Sequence, residues 1–220
     1  MKVVNLSAQP SLLSVYLKEI RSVNIQRDSL RFRRNIERIG ELMAFEISRH
    51  LKFKEETVQT PLDQALVHDI ASPVVLATIL RAGLPFHQGF LNMFDHAENA
   101  FLSAFRRVTH NSKGEEQLEI VSEYLAAPSL DNKTLLLVDP MLATGMSMEV
   151  AYKALLSHGQ PQTTHLACVI GTQQAIDFLD RNIPAETTLW CAAIDPALND
   201  KKYIVPGLGD AGDLCFGEKL

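Results

Sequence analysis

Between Leu135 and Val150 the chain reads LLLVDPMLATGMSMEV, an apolar run that breaks into Asp139, Pro140, Thr144, Gly145 and Ser147. A strand that opens into small, hydroxyl-bearing residues at the head of a helix offers free backbone N–H groups and the positive end of the helix dipole. With the hydroxyls of Thr144 and Ser147 added, these donors suit a phosphate monoester. Gly145 lets the turn close without a Cβ in the way. An acid just upstream would repel that phosphate, so Asp139 must meet ribose hydroxyls, a hydrated Mg²⁺ ion, or both. A sugar phosphate with a metal fits every part. The spacing is not GxxxxGK[ST], GxGxxG or GxSxG. An ordinary strand-to-helix turn carries the same residue types, so the motif alone leaves both readings open.

A second candidate is Arg81, in PVVLATILRAG, where a continuous apolar strand stops at a charged, glycine-bearing turn. In a doubly wound sheet ligands settle at the carboxyl ends of the strands, where Asp139 and Arg81 would both project. The tail YIVPGLGDAGDLCFGEKL is a third. Four of the chain's 11 glycines lie after Tyr203, which predicts a shaped loop rather than a regular element.

The elements that must position these residues follow from hydrophobic periodicity. Helices are predicted at Leu12 to Arg21 and Asp28 to His50, where Phe32, Ile36, Ile39, Met43 and Ile47 recur on one face. VQTPLDQAL is read as an extended segment turning into a helix, because the residue before Pro61 is pushed towards β geometry. Strands are expected at Val74 to Leu80, Asn99 to Phe105, Leu135 to Val138, His165 to Ile170 and Thr188 to Ile194. Helices are expected over LPFHQGFLNMF, near Ser147 to His158, and at Gln173 to Arg181. The polar stretch from Arg106 to Gln117 reads as a mobile loop or the tip of a long hairpin returning through Ile120 to Ala126. Apolar strands alternating with amphipathic helices mean an α/β fold: a mainly parallel, twisted sheet covered by helices on both faces.

The 220 residues suffice for one large domain with a full core. Hydrophobic residues at 46% and charged residues at 21% exclude disorder, and the absence of a long apolar run argues against a membrane protein. A net charge of −5 argues against nucleic acid as the main partner. The basic run RFRRNIER, Arg31 to Arg38, is read as a solvated helix face. Cys168, Cys191 and Cys215 are widely spaced, and the seven histidines show no HxxxH pattern, which speaks for reduced thiols, a cytoplasmic setting and no zinc site.

VDPMLATGMSM resembles the phosphoribosyl diphosphate (PRPP) loop of type I phosphoribosyltransferases, in the form found in uracil phosphoribosyltransferases. ILRAGLPF, Ile79 to Phe86, and YIVPGLGDAGDLCFG, Tyr203 to Gly217, are similar to that family's segments too, the latter to its uracil-binding hood. The resemblance runs from about residue 28 to the C-terminus. It implies one phosphoribosyltransferase domain over 1–220, with N-terminal helices at 10–50, a core at about 58–195 and a hood at about 196–220. It also implies conversion of uracil and PRPP to UMP and pyrophosphate in pyrimidine salvage.

By the same resemblance, Arg81 and, from the polar stretch, Arg106 (with Arg107 next in line) would hold pyrophosphate. Asp139, Pro140, Met141, Leu142, Ala143, Thr144, Gly145, Met146 and Ser147 would wrap the ribose and the 5′-phosphate. Ile204, Gly209, Asp210 and Ala211 would read uracil, with Asp210 also touching PRPP. The catalytic set is Arg81, Arg106 and Asp139, and Mg²⁺ is expected through PRPP and water rather than through a protein cage. Relatives form homodimers or homotetramers and some respond to GTP. Asp210 and Asp213 are also ordinary turn formers. Three positions depart from the family pattern. Met146 stands where a second glycine is common, Gln88 where an acid is frequent, and RRVTHNSKGEE lacks the RDEET-like run. The divergent loop is what would favour the alternative, a catalytically weak PRPP- or nucleotide-sensing relative.

Overall fold

In the computed structural model the backbone is described for residues 1–103, 105–110, 116–121 and 124–218, and side chains for 1–103 and 124–218. β1 (Lys2–Asn5) leads through α1 (Leu12–Arg21) and α2 (Ser29–Ser48) into a hairpin of β2 (Phe53–Gln59) and β3 (Gln64–Ile70). β4 (Val74–Leu80), α3 (Gly83–Leu91) and β5 (Glu98–Ser103) follow. A second hairpin, β6 (Phe105–His110) with β7 (Glu116–Val121), precedes the short β8 (Leu125–Ala126). Next come β9 (Thr134–Val138), β10 (Met141–Leu142), α4 (Met146–Leu155), β11 (Thr163–Thr172), α5 (Gln173–Asn182) and β12 (Thr188–Asp195). The chain closes with β13 (Ala197–Leu198), β14 (Ile204–Val205) and α6 (Ala211–Phe216).

The main sheet has the order β1-β12-β11-β9-β4-β5-β8, with β10 pairing beside β11. Its pairs are parallel except β5 with β8. Period-two alternation sends side chains of one strand to opposite faces, which is why the apolar runs bury on both. Leu76, Leu136, Val138 and Trp190 pack with α1, α2 and α3 on one face. Val75, Ala77, Leu135, Leu137 and Leu189 pack with α4 and α5 on the other. The hood joins the first of these cores through Ile204, Leu208, Ala211 and Cys215. The helix over 28–50 is α2. Asp28 caps it by accepting from the Arg31 N–H at 3.1 Å, and Phe32, Ile36, Ile39, Met43 and Ile47 are buried along its inner face.

Two expectations fail. VQTPLDQAL forms no helix; it is the bend of the β2–β3 hairpin, where the Thr60 N–H and hydroxyl both donate to the Asp63 carbonyl, at 2.9 and 2.6 Å. Thr60 followed by Pro61 looks like a helix start, but the same hydroxyl closes a tight turn equally well. The glycine-rich tail is not all loop. It holds β14 and a six-residue helix, α6, whose N-terminus Asp210 caps by accepting from the Asp213 N–H at 3.0 Å. Smaller corrections concern β1, an edge strand too short to show a period, and Phe105, which starts β6 rather than ending β5. The Arg106 to Gln117 stretch largely forms the β6–β7 hairpin, with 111–115 outside the described residues.

Candidate active site

A cavity of about 540 Å³ opens at the carboxyl ends of β4 and β9, between the head of α4 and the C-terminal hood. Its wall carries Arg81, Asp139, Met141, Leu142, Ala143, Thr144, Gly145 and Ser147 on the sheet side. Ile204, Gly209, Asp210 and Ala211 face them from the hood. Segments more than 50 positions apart in the chain thus share one cleft, because parallel strands deliver their ends to the same edge and the hood folds over it.

The loop from Asp139 to Gly145 is held by its carbonyls. Val169 and Ile170 N–H donate to the Pro140 carbonyl at 3.1 and 3.0 Å, and the Thr172 hydroxyl donates to the Ala143 carbonyl at 2.7 Å. Pairing of Met141–Leu142 with Ile170–Gly171 completes the anchor. The Asp139 N–H is spent on β11 as well, donating to the Ala167 carbonyl at 3.0 Å. Gly145, at φ +83°, starts α4 with no side-chain cap, so the first helical amides open on the cleft.

Asp139 sits half-buried on the cavity floor. Burial pushes its carboxyl up to about 7, while a weak hydrogen bond from the Met141 N–H at 3.4 Å pulls the other way. A carboxyl so poorly supplied with donors suits ribose hydroxyls or a hydrated cation. Among the described residues no cluster of three or more His, Cys, Asp or Glu is grouped to hold a metal, and Asp139 is the carboxylate in the cleft wall on the sheet side that a hydrated Mg²⁺ would fit.

Arg81 follows β4 across a cis peptide bond from Leu80. Its Nη2 donates to Asp213 Oδ1 at 3.2 Å and to the Gly217 carbonyl at 3.4 Å, linking the sheet edge to α6. Pro140 and Met146 do not line the cavity. Pro140 is buried behind the loop, and Met146 is the first residue of α4. The side chains of Arg106 and Arg107 lie outside the described residues, although both positions fall on β6, in a hairpin lying beside α4. Lys202, Tyr203, Ser103 and Gly212 also line the cleft without having been given a role from sequence, although Tyr203 and Gly212 lie within the hood motif. Lys202 and Tyr203 directly precede Ile204, the one signal that could have found them.

A mainly parallel sheet, with a cleft at its carboxyl edge between the Asp139–Ser147 loop and a facing hood, defines an α/β protein of the type I phosphoribosyltransferase fold. A model of the uracil phosphoribosyltransferase family matches residues 7–218. The chain is 54% identical over 220 residues to a uracil phosphoribosyltransferase of Porphyromonas gingivalis, covering 100% of both. It is 39% identical over 193 residues to one from Methanothermobacter thermautotrophicus, covering 86% of this chain and 85% of the other. Among solved structures it is similar to the AQ2163 protein of Aquifex aeolicus, with a TM-score of 0.81 and 27% identity over 98% of each chain. The chain belongs to the uracil phosphoribosyltransferase family.

Proposed function

We propose that residues 1–220 act as one phosphoribosyltransferase domain that converts uracil and PRPP to UMP and pyrophosphate. The observation that carries this reading is the single cleft bounded by the Asp139–Ser147 loop on one side and the Ile204–Ala211 backbone on the other. A phosphate-binding helix start and a main-chain surface suited to a flat heterocycle face each other across it.

In this reaction N1 of uracil bonds to C1′ of PRPP as the C1′–oxygen bond to pyrophosphate breaks, and the N1 proton is lost. Positive charge grows on the sugar and negative charge on the leaving group. The Arg81 fork matches pyrophosphate oxygens, and Arg106 is the candidate second cation. Thr144, Ser147 and the amides of the loop hold the 5′-phosphate. Asp139 accepts from ribose hydroxyls and is the residue that would help hold Mg²⁺, which supplies charge neutralisation on the pyrophosphate. Peptide groups at Ile204 and from Gly209 to Ala211 complement the acceptor–donor–acceptor edge of uracil. Cytosine would place an amino group against a peptide donor, at a cost on the order of 10⁴-fold.

Two further points belong to the proposal. Cys168, Cys191 and Cys215 are free and buried, as suits a reducing cytoplasm. No helix among the described residues is long and apolar enough to cross a membrane. A homodimer or homotetramer is supported by the β2–β3 hairpin, which leaves Phe53, Leu62 and Leu66 exposed.

Incubating the chain with Mg²⁺, PRPP and labelled uracil is expected to yield UMP, with orotate and hypoxanthine unreacted. Adding GTP tests it as an effector. Arg81→Ala and Asp139→Asn are each expected to lower turnover by about 10² or more. Folded variants with unchanged turnover would remove both residues from the site.

A further inference from the structure

A template of peptide groups discriminates only while its planes are fixed, and Pro206, Gly207 and Gly209 bring little side chain to pack. The fixing comes from distant parts of the chain. Asp195, the last residue of β12, is 5% exposed. Its Oδ2 accepts from the Gly207 N–H at 2.8 Å and from Arg21 Nη1 at 2.8 Å, and its Oδ1 accepts from Arg21 Nη2 at 2.7 Å. Arg21 Nη1 also donates to the Gly207 carbonyl at 3.0 Å. One ion pair therefore holds both polar groups of a single hood residue. Gly207 is at φ +57°, and a Cβ there would lie 2.1 Å from the Ile204 carbonyl oxygen, so the turn admits glycine alone.

The next residue is held in the same manner. Gln26 Nε2 donates to the Leu208 carbonyl at 3.2 Å and to that of Ile20 at 2.8 Å. One position further, Gly209 borders the cavity, where an added Cβ would meet nothing within 4 Å. The hood therefore passes from a stretch pinned by α1 and β12 directly into the stretch that faces the ligand. A tie whose whole purpose was to join α1 to β12 would leave Gly207 out. Here both ion-pair partners spend hydrogen bonds on it.

We propose that Arg21 and Asp195 are positioning residues for nucleobase recognition: they set pyrimidine affinity by fixing the peptide planes of the hood without touching the substrate. This rests on the uracil-transfer reading above. Only a planar fork can bind both carboxylate oxygens and still reach the Gly207 carbonyl, so lysine at position 21 keeps the charge and loses the geometry.

The test is steady-state kinetics on Arg21→Lys and Asp195→Asn, with KM for uracil and for PRPP measured separately and thermal unfolding run in parallel. The uracil KM is expected to rise on the order of 10-fold to 100-fold in each folded variant, as for other small displacements of a binding group. The PRPP KM should rise by no more than a few-fold, since apart from Asp210 its expected contacts are built on other elements. Should Asp195→Asn fail to fold, Arg21→Lys decides alone, its side chain being 24% exposed. A uracil KM unchanged in folded variants, or both KM values rising together as the melting temperature falls, would overturn the assignment. A wild-type chain that makes no UMP overturns the uracil-transfer reading itself, an outcome distinct from variants that match a working parent.

Discussion

Asp139 carries an unusual proton for a carboxyl group. Its ordinary pKa of 3.8 applies in the unfolded chain, and burial pushes the folded value up to about 7. The folded state therefore holds the proton more tightly. The stability this contributes is fully present below about pH 3.8 and is lost as pH rises towards 7, where the ionised group costs at most about 4 kcal/mol. Asp139→Asn should then melt higher than the wild type at pH 8, with the gap narrowing below about pH 7 and closing near pH 4, as calorimetry would check. The ionised form accepts more strongly from hydroxyls, so under the proposed function the PRPP KM of the wild type should rise as pH falls below about 7. At this scale the sequence was informative where one short motif brought several residues to the cleft wall, as with Asp139, Thr144 and Ser147. It was silent on Arg21 and Asp195, which lie 174 positions apart and meet only through the fold.

The loop between β9 and α4 shows how an element makes a site out of ordinary residues. β10 is two residues long, yet its pairing with β11 and the hydrogen bonds to Pro140 and Ala143 fix the loop from behind. Gly145 is the pivot. A Cβ there would lie 2.9 Å from Phe178 Cδ1 and 3.1 Å from the Ala175 carbonyl oxygen, at a left-handed φ. Gly145→Ala should cost about 1–2 kcal/mol for the backbone conformation, measurable by denaturant unfolding, and more if Phe178 cannot yield. The PRPP KM should rise more than the uracil KM, because the added Cβ disturbs the Asp139–Ser147 loop directly and the hood only through it. Long periodic elements such as α2 and β4 were legible because many side chains in each repeat the same message. VQTPLDQAL and α6 were not, since a single hydroxyl or carboxylate cap decides each, and Thr60 and Asp210 serve turns and helix starts alike.

Across the whole molecule, alternation of apolar strands and amphipathic helices announced a covered parallel sheet, while strand order and edges had no local signature. The β2–β3 hairpin is the clearest example, because both its faces are exposed and Leu62 at its tip is 96% exposed. Two strands alone are marginally stable in water, so this arm calls for a partner surface, and a second copy of the chain is the occupant we favour. Light scattering should give a dimer or larger species for the wild type and a shift towards monomer for Leu62→Asp combined with Leu66→Asp. A wild type that is already monomeric would end that expectation.

The bonds from Arg81 to Asp213 and the Gly217 carbonyl have a further consequence. Under the proposed function, a polyphosphate that drew Nη2 of this guanidinium away from Asp213 and Gly217 would loosen α6, so filling one end of the cleft would alter the free energy of the other. Such linkage is reciprocal: whatever factor the first ligand imposes on the affinity of the second, the second imposes on the first.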